Sequence, residues 1–367
     1  MIYLDNGATS FHKPPEVAQA MLRAMRTCAN PGRGGHRPAM EAAKVVLRCR
    51  ERAAQLFQCQ PEQVVFTGNC TQGLNTAIRS LVKPGSRVVI SGFEHNAVTR
   101  PLHALGARVS VAGRKLFSPE DTLECWETAL KKGVDAAVFT HMSNVFGYIL
   151  PMQEMAALCR QYGVPFVIDA AQSAGVLPVS LEETGAAYIA MPGHKGLLGP
   201  QGTGLLLCGQ MPEPLLYGGT GSLSASREMP DFLPDRGEAG TLNVPGIAGL
   251  EAGMAWLQEK GQSQILARQK KQVTVCTDVL TRMGVRVFSG PCQSGTLSIV
   301  PSMDCEEAAA EFSRRGIALR AGLHCAPLAH ESAGTHQTGT LRISFGHDAC
   351  PMQTARFLEA AKEVLQK

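Results

Sequence analysis

Lys195 is the only lysine in "MPGHKGLLGPQGTG" (191–204), and it stands between two apolar runs, Tyr188-Ile189-Ala190 and Leu205-Leu206-Leu207. An apolar setting lowers a lysine's pKa toward the neutral amine that attacks aldehydes. Three further segments carry groups that such chemistry could use. "VVFTGNCTQG" ends an apolar run and opens a helical pattern at Cys70 and Thr71, whose first-turn N–H groups suit a phosphate. "PFVIDAAQ" ends on a carboxylate, Asp169, which is costly to bury without a cationic partner, and places Gln172 three residues on. "SGFEHNAV" supplies His95, a flat ring able to stack or hydrogen-bond. Taken singly, Thr71 is equally an ordinary helix cap and His95 equally a structural histidine. Together, an aldehyde-reactive amine, an acid for a pyridinium nitrogen and an anion cradle describe one cofactor, pyridoxal 5'-phosphate.

These residues need strand ends to hold them. Buried strands are expected at 63–67, 87–91, 107–112, 135–141, 165–171, 186–190 and 202–208, with helical patterns between several of them at 71–82, 120–132 and 151–163. That alternation predicts a mainly parallel sheet covered on both faces, and such sheets bind ligands at the carboxyl ends of their strands. Long helical patterns at 246–260 and 262–284 then break the rhythm. Strands at 295–300 and 317–322 and helices at 304–315 and 351–366 read as a smaller α+β domain, with the first dozen residues packed near it.

Composition excludes several function classes. A chain of 367 residues with 44% hydrophobic and 18% charged residues can bury a large core, and a formal charge of +4 with scattered Lys and Arg points to no nucleic-acid partner. No apolar run approaches the ~20 residues of a membrane span, and "MIYLDNGATS" has no apolar leader core, so no membrane partner and a cytoplasmic location are expected. The 12 cysteines form no CxxC pair and no metal-ligand spacing, so no metal is expected, and free thiols fit a reducing compartment. Most should act as small core hydrophobes. Cys325 differs, in "RAGLHCAP", where it follows a Gly and a His in a loop leaving a strand. Nearby cations, Arg320 or a protonated His324, would favour its thiolate.

Seven segments, "YLDNGAT", "EHNAV", "SNVFG", "DAAQSAG", "GHKGLLGPQGTG", "GEAGTLN" and "RAGLHCAP", resemble in kind and order those of the class V aminotransferase superfamily, specifically its cysteine desulfurase and selenocysteine lyase branch. The resemblance runs from residue 3 to about 346. It implies an α/β, PLP-dependent aspartate-aminotransferase-type fold (fold type I): a large domain over 14–245, and a small α+β domain over 246–367 together with 1–13. It also implies a homodimer. Carried over residue by residue, Lys195 is the cofactor lysine, Asp169 pairs with the pyridine nitrogen, Gln172 reaches the phenolic oxygen and His95 stacks on the ring. Thr71, the Cys70 backbone and His194 hold the phosphate, with Thr241 reaching it from a second subunit. Asn144 and Arg342 bind the substrate carboxylate, Arg342 through a bidentate fork. Arg320 and His36, the latter in "GRGGHRP", are further pocket residues.

Cys325 is then the nucleophile that takes sulfur from L-cysteine, leaving a persulfide for a sulfur-acceptor protein, as in the supply of sulfur for iron–sulfur cluster assembly. Only 16 residues separate Cys325 from Arg342, a short loop like that of the second desulfurase group. Pro192 stands where relatives commonly have a phosphate-binding Ser, and "GNCTQG" lacks their Arg and paired threonines. The alternatives are a selenocysteine lyase acting on L-selenocysteine, another C–S lyase, a transaminase, and a non-catalytic partner protein of the same fold.

Overall fold

The computed structural model describes residues 1–32 and 34–365. Arg33, Gln366 and Lys367, and with them the last residue of the expected closing helix and the end of the expected small domain, lie outside the described residues.

A short strand β1 (Ile2–Tyr3) precedes two helices, α1 (Pro15–Thr27) and α2 (Arg37–Phe57). The strand–helix alternation follows: β2 (Val64–Thr67), α3 (Cys70–Leu81), β3 (Arg87–Ser91), α4 (Asn96–Ala104), β4 (Arg108–Ala112) and α5 (Pro119–Lys131). It continues through β5 (Ala136–Thr140), α6 (Met152–Gln161), β6 (Phe166–Asp169), α7 (Leu181–Thr184), β7 (Tyr188–Pro192) and β8 (Gly204–Cys208). The strands form one seven-stranded sheet, ordered β2-β8-β7-β6-β5-β3-β4, in which β8 alone runs against its neighbours. "GHKGLLGPQGTG" is therefore the connection from β7 back into β8.

Alternate strand residues feed two separate cores, as the pleat requires. Phe139, Ile168, Ile189 and Leu205 face one, and Val138, Val167, Ala190 and Leu206 face the other, all 0% exposed. Being buried on both faces explains why these strands read as continuous apolar runs. Burial on this scale, at about 1.5–3 kcal/mol per large side chain, is what holds the strand ends in register.

Beyond the sheet come α8 (Val244–Lys260), α9 (Gln262–Arg282), β9 (Arg286–Phe288), β10 (Thr296–Val300) and α10 (Cys305–Arg314). Then follow β11 (Ile317–Ala318), β12 (Arg320–Gly322), α11 (Pro327–Ala333), β13 (Thr340–Ser344) and α12 (Pro351–Leu365). A four-stranded antiparallel sheet, β12-β13-β10-β9, packs with α9, α10 and α12 around Val273, Leu297, Phe312, Leu341 and Phe357. Leu4 joins this core. The segment expected as one strand at 317–322 is two, because its halves have different partners: β11 pairs in parallel with β1, and β12 pairs with β13. β9 has no counterpart among the expected strands.

Helix α8 packs with α1 and α2, its Val244, Leu250 and Met254 sharing a core with Val46 and Phe57. It also backs the Lys195 connection closely. A Cβ on Gly253 would lie 2.5 Å from the Leu197 carbonyl, so only glycine lets the two backbones meet.

Candidate active site

Five of the seven strands of the large sheet, β2, β3, β5, β6 and β7, lead at their carboxyl ends into the same place. After β2, Asn69 caps α3 by accepting from the Gln72 amide (2.9 Å). The first-turn amides of Cys70 and Thr71 then remain as unpaired donors of that helix. After β3, His95 caps α4, its Nδ1 accepting from the Ala97 amide at 3.0 Å, which places the ring proton on Nε2. β5 leads to Asn144, β6 ends on Asp169 and leads to Gln172, and β7 leads to His194 and Lys195. A cavity of about 110 Å³ is lined by Cys70, Thr71, His95, Asn144, Asp169, Gln172, His194 and Lys195, together with Met142 and Pro192. The structure thus brings eight of the thirteen expected site residues to one wall-to-wall cluster.

The electrostatics follow from burial. Lys195 is pushed below the usual lysine range by loss of water, with Cys70 and Asp169 nearby to oppose the shift. Burial raises the Asp169 carboxyl, and the Ala171 amide, the Lys195 charge and the Cys70 thiol pull it back. Its Oδ1 accepts from the Ala171 amide at 2.8 Å, while Oδ2 takes no partner among the described residues. His95 and His194 are both pushed down to about 4, first by burial and then by the Lys195 charge, so both rings are neutral near pH 7. His194 also meets Thr9 through Nδ1 (3.0 Å), and its carbonyl collects Ser10 Oγ (2.9 Å) and Lys13 Nζ (3.3 Å). Residues 2–13 are thereby stitched to the lysine turn.

Three further expected residues, Arg342, Arg320 and Cys325, stand beside the cavity. Arg342, 1% exposed, donates to Asp5 Oδ1 (2.6 Å) and to the Asn144 carbonyl (2.9 Å), and its Nε has no partner. Two of its five N–H donors are thus used. Asn144 Nδ2 donates to the His324 carbonyl at 2.8 Å, tying the cavity to the cysteine loop. Gln172 Nε2 donates to the Gly7 carbonyl at 2.9 Å, so its amide nitrogen is held by the N-terminal segment.

Cys325 is exposed, as is Cys292, while six of the other cysteines are buried and four half-buried. Arg320 lies against the Cys325 sulfur at 3.9 Å. His324 and Cys325 both have positive φ, 49° and 57°, an unusual pair for residues with side chains, and the Asn96 amide clamps the turn by donating to the Cys325 carbonyl at 2.8 Å. The expectation of a protonated His324 is corrected. That ring is buried, its Nε2 donates to the Thr340 carbonyl (3.1 Å), and burial with Arg342 nearby pushes it down to about 2. Arg320 is the cation left to the thiol.

Two expected residues lie elsewhere within the chain. His36 is exposed and caps α2. Thr241 is exposed in a separate cleft with Asn30, Gly32, Gly219 and Thr220. Conversely, Glu94 beside His95 had no expected role yet is 0% exposed, and Asp5 in "YLDNGAT" had none yet holds Arg342. The available signal for Glu94 was its place just past the end of β3, between Phe93 and His95, a weaker one than the apolar run that marked Asp169.

The cavity fits the cofactor read from the sequence. A buried amine and a buried carboxylate with one oxygen uncommitted stand on one side, and unpaired helix amides on another. Among the described residues no cluster of three metal-ligating side chains occurs, and no helix is long and apolar enough to cross a membrane.

Comparison with known proteins agrees with this geometry. The chain is 31% identical over 361 residues to a probable cysteine desulfurase of Methanothermobacter thermautotrophicus, covering 94% of this chain and 89% of that one. It is 30% identical over 397 residues to a probable cysteine desulfurase of Aeropyrum pernix, covering 100% and 94%. Among solved structures, the apo cysteine desulfurase of Thermococcus onnurineus superposes with a TM-score of 0.91 at 29% identity, over 100% of this chain and 94% of that one. The cysteine desulfurase CsdA of Escherichia coli gives 0.85 at 25%, with the same coverage. A family model described as aminotransferase class-V matches residues 2–357, from the first strand to within the last helix. Likeness that runs through both sheets and every strand end around Lys195 is more than a shared scaffold, and the chain belongs to the class-V aminotransferase family.

Proposed function

We propose that this chain is a pyridoxal-phosphate-dependent cysteine desulfurase, which converts L-cysteine to L-alanine and keeps the sulfur as a persulfide on Cys325. The observation that carries the reading is the pairing of a buried Lys195–Asp169 cluster with an exposed Cys325 on a strained loop, joined through Asn144. Its family depends on this cofactor in general, and its relatives are named for this activity. When bound, the cofactor supplies an electron sink for negative charge at the substrate α-carbon.

The protein's own groups do the rest. With the cofactor bound, Asp169 would hold a proton at the ring nitrogen, and the neutral His95 would lie beside the ring. The amides of Cys70 and Thr71, with His194, would hold the phosphate; Pro192 has neither a hydroxyl nor an N–H to offer there. Lys195, whose pKa is lowered by loss of water, takes the proton from the α-carbon. Arg342 binds the substrate carboxylate with the donors that Asp5 and Asn144 leave free, and Asp5 fixes the plane of the guanidinium. Cys325, with Arg320 beside its sulfur, attacks the substrate sulfur. The carbon–sulfur bond breaks, a sulfur–sulfur bond forms on Cys325, and the carbon takes up a proton to give alanine.

The exposed position of Thr241, away from the Lys195 cavity of its own chain, supports a homodimer in which it completes the partner's phosphate site. The persulfide is handed to an acceptor protein. The deciding experiment compares alanine release from cysteine and from selenocysteine by wild type and Cys325→Ala. Loss on cysteine is the expected result, and retained release from selenocysteine alone would favour a selenocysteine lyase. Unchanged release from cysteine would rule out the mechanism.

A further inference from the structure

We propose that the Cys70 thiol is a positioning residue for Asp169, fixing which carboxylate oxygen meets the cofactor's ring nitrogen. The Cys70 sulfur lies 3.7 Å from Asp169 Oδ1, within S–H···O range, and both side chains are buried. That same Oδ1 accepts the Ala171 amide at 2.8 Å. Two donors from different elements, α3 and the turn after β6, therefore converge on one oxygen and leave Oδ2 uncommitted among the described residues, on a side chain that lines the cavity. Without the thiol, a single amide would hold the carboxylate, which could then swing about its last bond and share its hydrogen-bonding capacity between two orientations. Cys70 suits the task because it stays protonated: burial, and then the neighbouring Asp169 charge, push the thiol well above its usual range. Its neighbour Thr71 carries the hydroxyl of that turn, so Cys70 has a backbone role toward phosphate and a separate side-chain role toward Asp169.

The proposal rests on the reading that Asp169 faces the ring nitrogen, and the test separates the two. Infrared difference spectra between wild type and Cys70→Ala isolate one S–H stretching band, expected at lower frequency than that of a thiol without an acceptor. That band should move back up in Asp169→Ala. In holoenzyme carrying ring-¹⁵N cofactor, the nitrogen resonance and its pH titration should shift in Cys70→Ala and return toward wild type in Cys70→Ser. Because Cys70 does not touch substrate, kcat should fall about two- to fivefold with KM for cysteine unchanged, as expected for one weak hydrogen bond to a charged group. A band at the free-thiol position overturns the proposal. So does a ring nitrogen that responds to Asp169→Asn but not to Cys70→Ala. A nitrogen indifferent to both variants would bring down the Asp169 reading, and the proposal with it.

Discussion

Glu94 offers a quantitative test of the charge balance beneath the site. Its side chain is 0% exposed, with Oε1 accepting from the Thr140 amide (2.9 Å) and the Ser91 hydroxyl, while Oε2 has no partner. Burial raises its carboxyl from 4.5 to about 8; the Ser91 and Thr140 bonds oppose the shift, and the Asp169 charge adds to it. Glu94 is therefore a neutral acid at pH 7, which leaves Asp169 as the one carboxylate able to carry charge at this wall.

The sign follows from linkage. The folded state holds this proton more tightly than the unfolded state, so the contribution of Glu94 is fully present below about pH 4.5. It falls as pH rises, and the loss is complete once pH passes about 8. At 1.36 kcal/mol per pKa unit, the loss is about 3 kcal/mol at pH 7. Glu94→Gln keeps the Oε1 bonds and cannot ionise. The variant should therefore gain about 3 kcal/mol relative to wild type between about pH 5 and about pH 8, read from denaturant unfolding of both proteins. Wild type should also show the carbonyl stretch of a protonated carboxylic acid at pH 7, absent from the variant. A stability difference that does not change with pH would refute the neutral-acid argument.

Three further outcomes are expected. Borohydride reduction of the cofactor-loaded protein should fix a pyridoxyl group on the peptide containing Lys195 and on nothing in Lys195→Ala; an adduct on another lysine would move the site. Asp169→Asn should retain cofactor but lose turnover by about a hundredfold or more, because an amide cannot hold the ring proton, and near-normal turnover would sink that role. Gly175 has φ of 80°, and a Cβ there would lie 2.3 Å from the Gly196 carbonyl. Gly175→Ala should therefore cost at least about 1–3 kcal/mol and push the Lys195 turn aside, lowering the melting temperature and cofactor retention together; an unchanged melt would show that the turn yields freely.

The parts of this protein that could be read in advance are those governed by local pattern. Strands buried on both faces announce themselves as apolar runs, and polar residues at their carboxyl ends, such as Asp169 and Lys195, stand out against them. Illegible parts depend on partners distant in sequence. Nothing in "IALRAG" reveals that Leu319 divides two strands serving different sheets, since the division comes from β1 and β13. The neutrality of His324 turned on its burial beside Arg342, and the orientation of Arg342 on Asp5, 337 residues away. Helix α8 is apolar nearly all round, so its pattern pointed to no particular neighbour, and its place against α1 and α2 follows from packing alone.

The stitching of residues 2–13 across the molecule has a consequence for how the protein is made. Asp5 leaves the ribosome early, but Arg342 and the Ser344 groups that receive the Asn6 and Gly7 amides emerge only after the large sheet can already have formed. Ile2 and Tyr3 likewise wait for Ile317 and Ala318. The cluster around Lys195 can thus be assembled by strands β2 to β8 while the segment that will hold Gln172 and the His194 carbonyl is still unplaced. A nascent chain at that stage has its site residues together but not yet tied to Gly7, Ser10 and Lys13, so the last contacts of the fold to form join its first residues to its last strand and to the lysine turn.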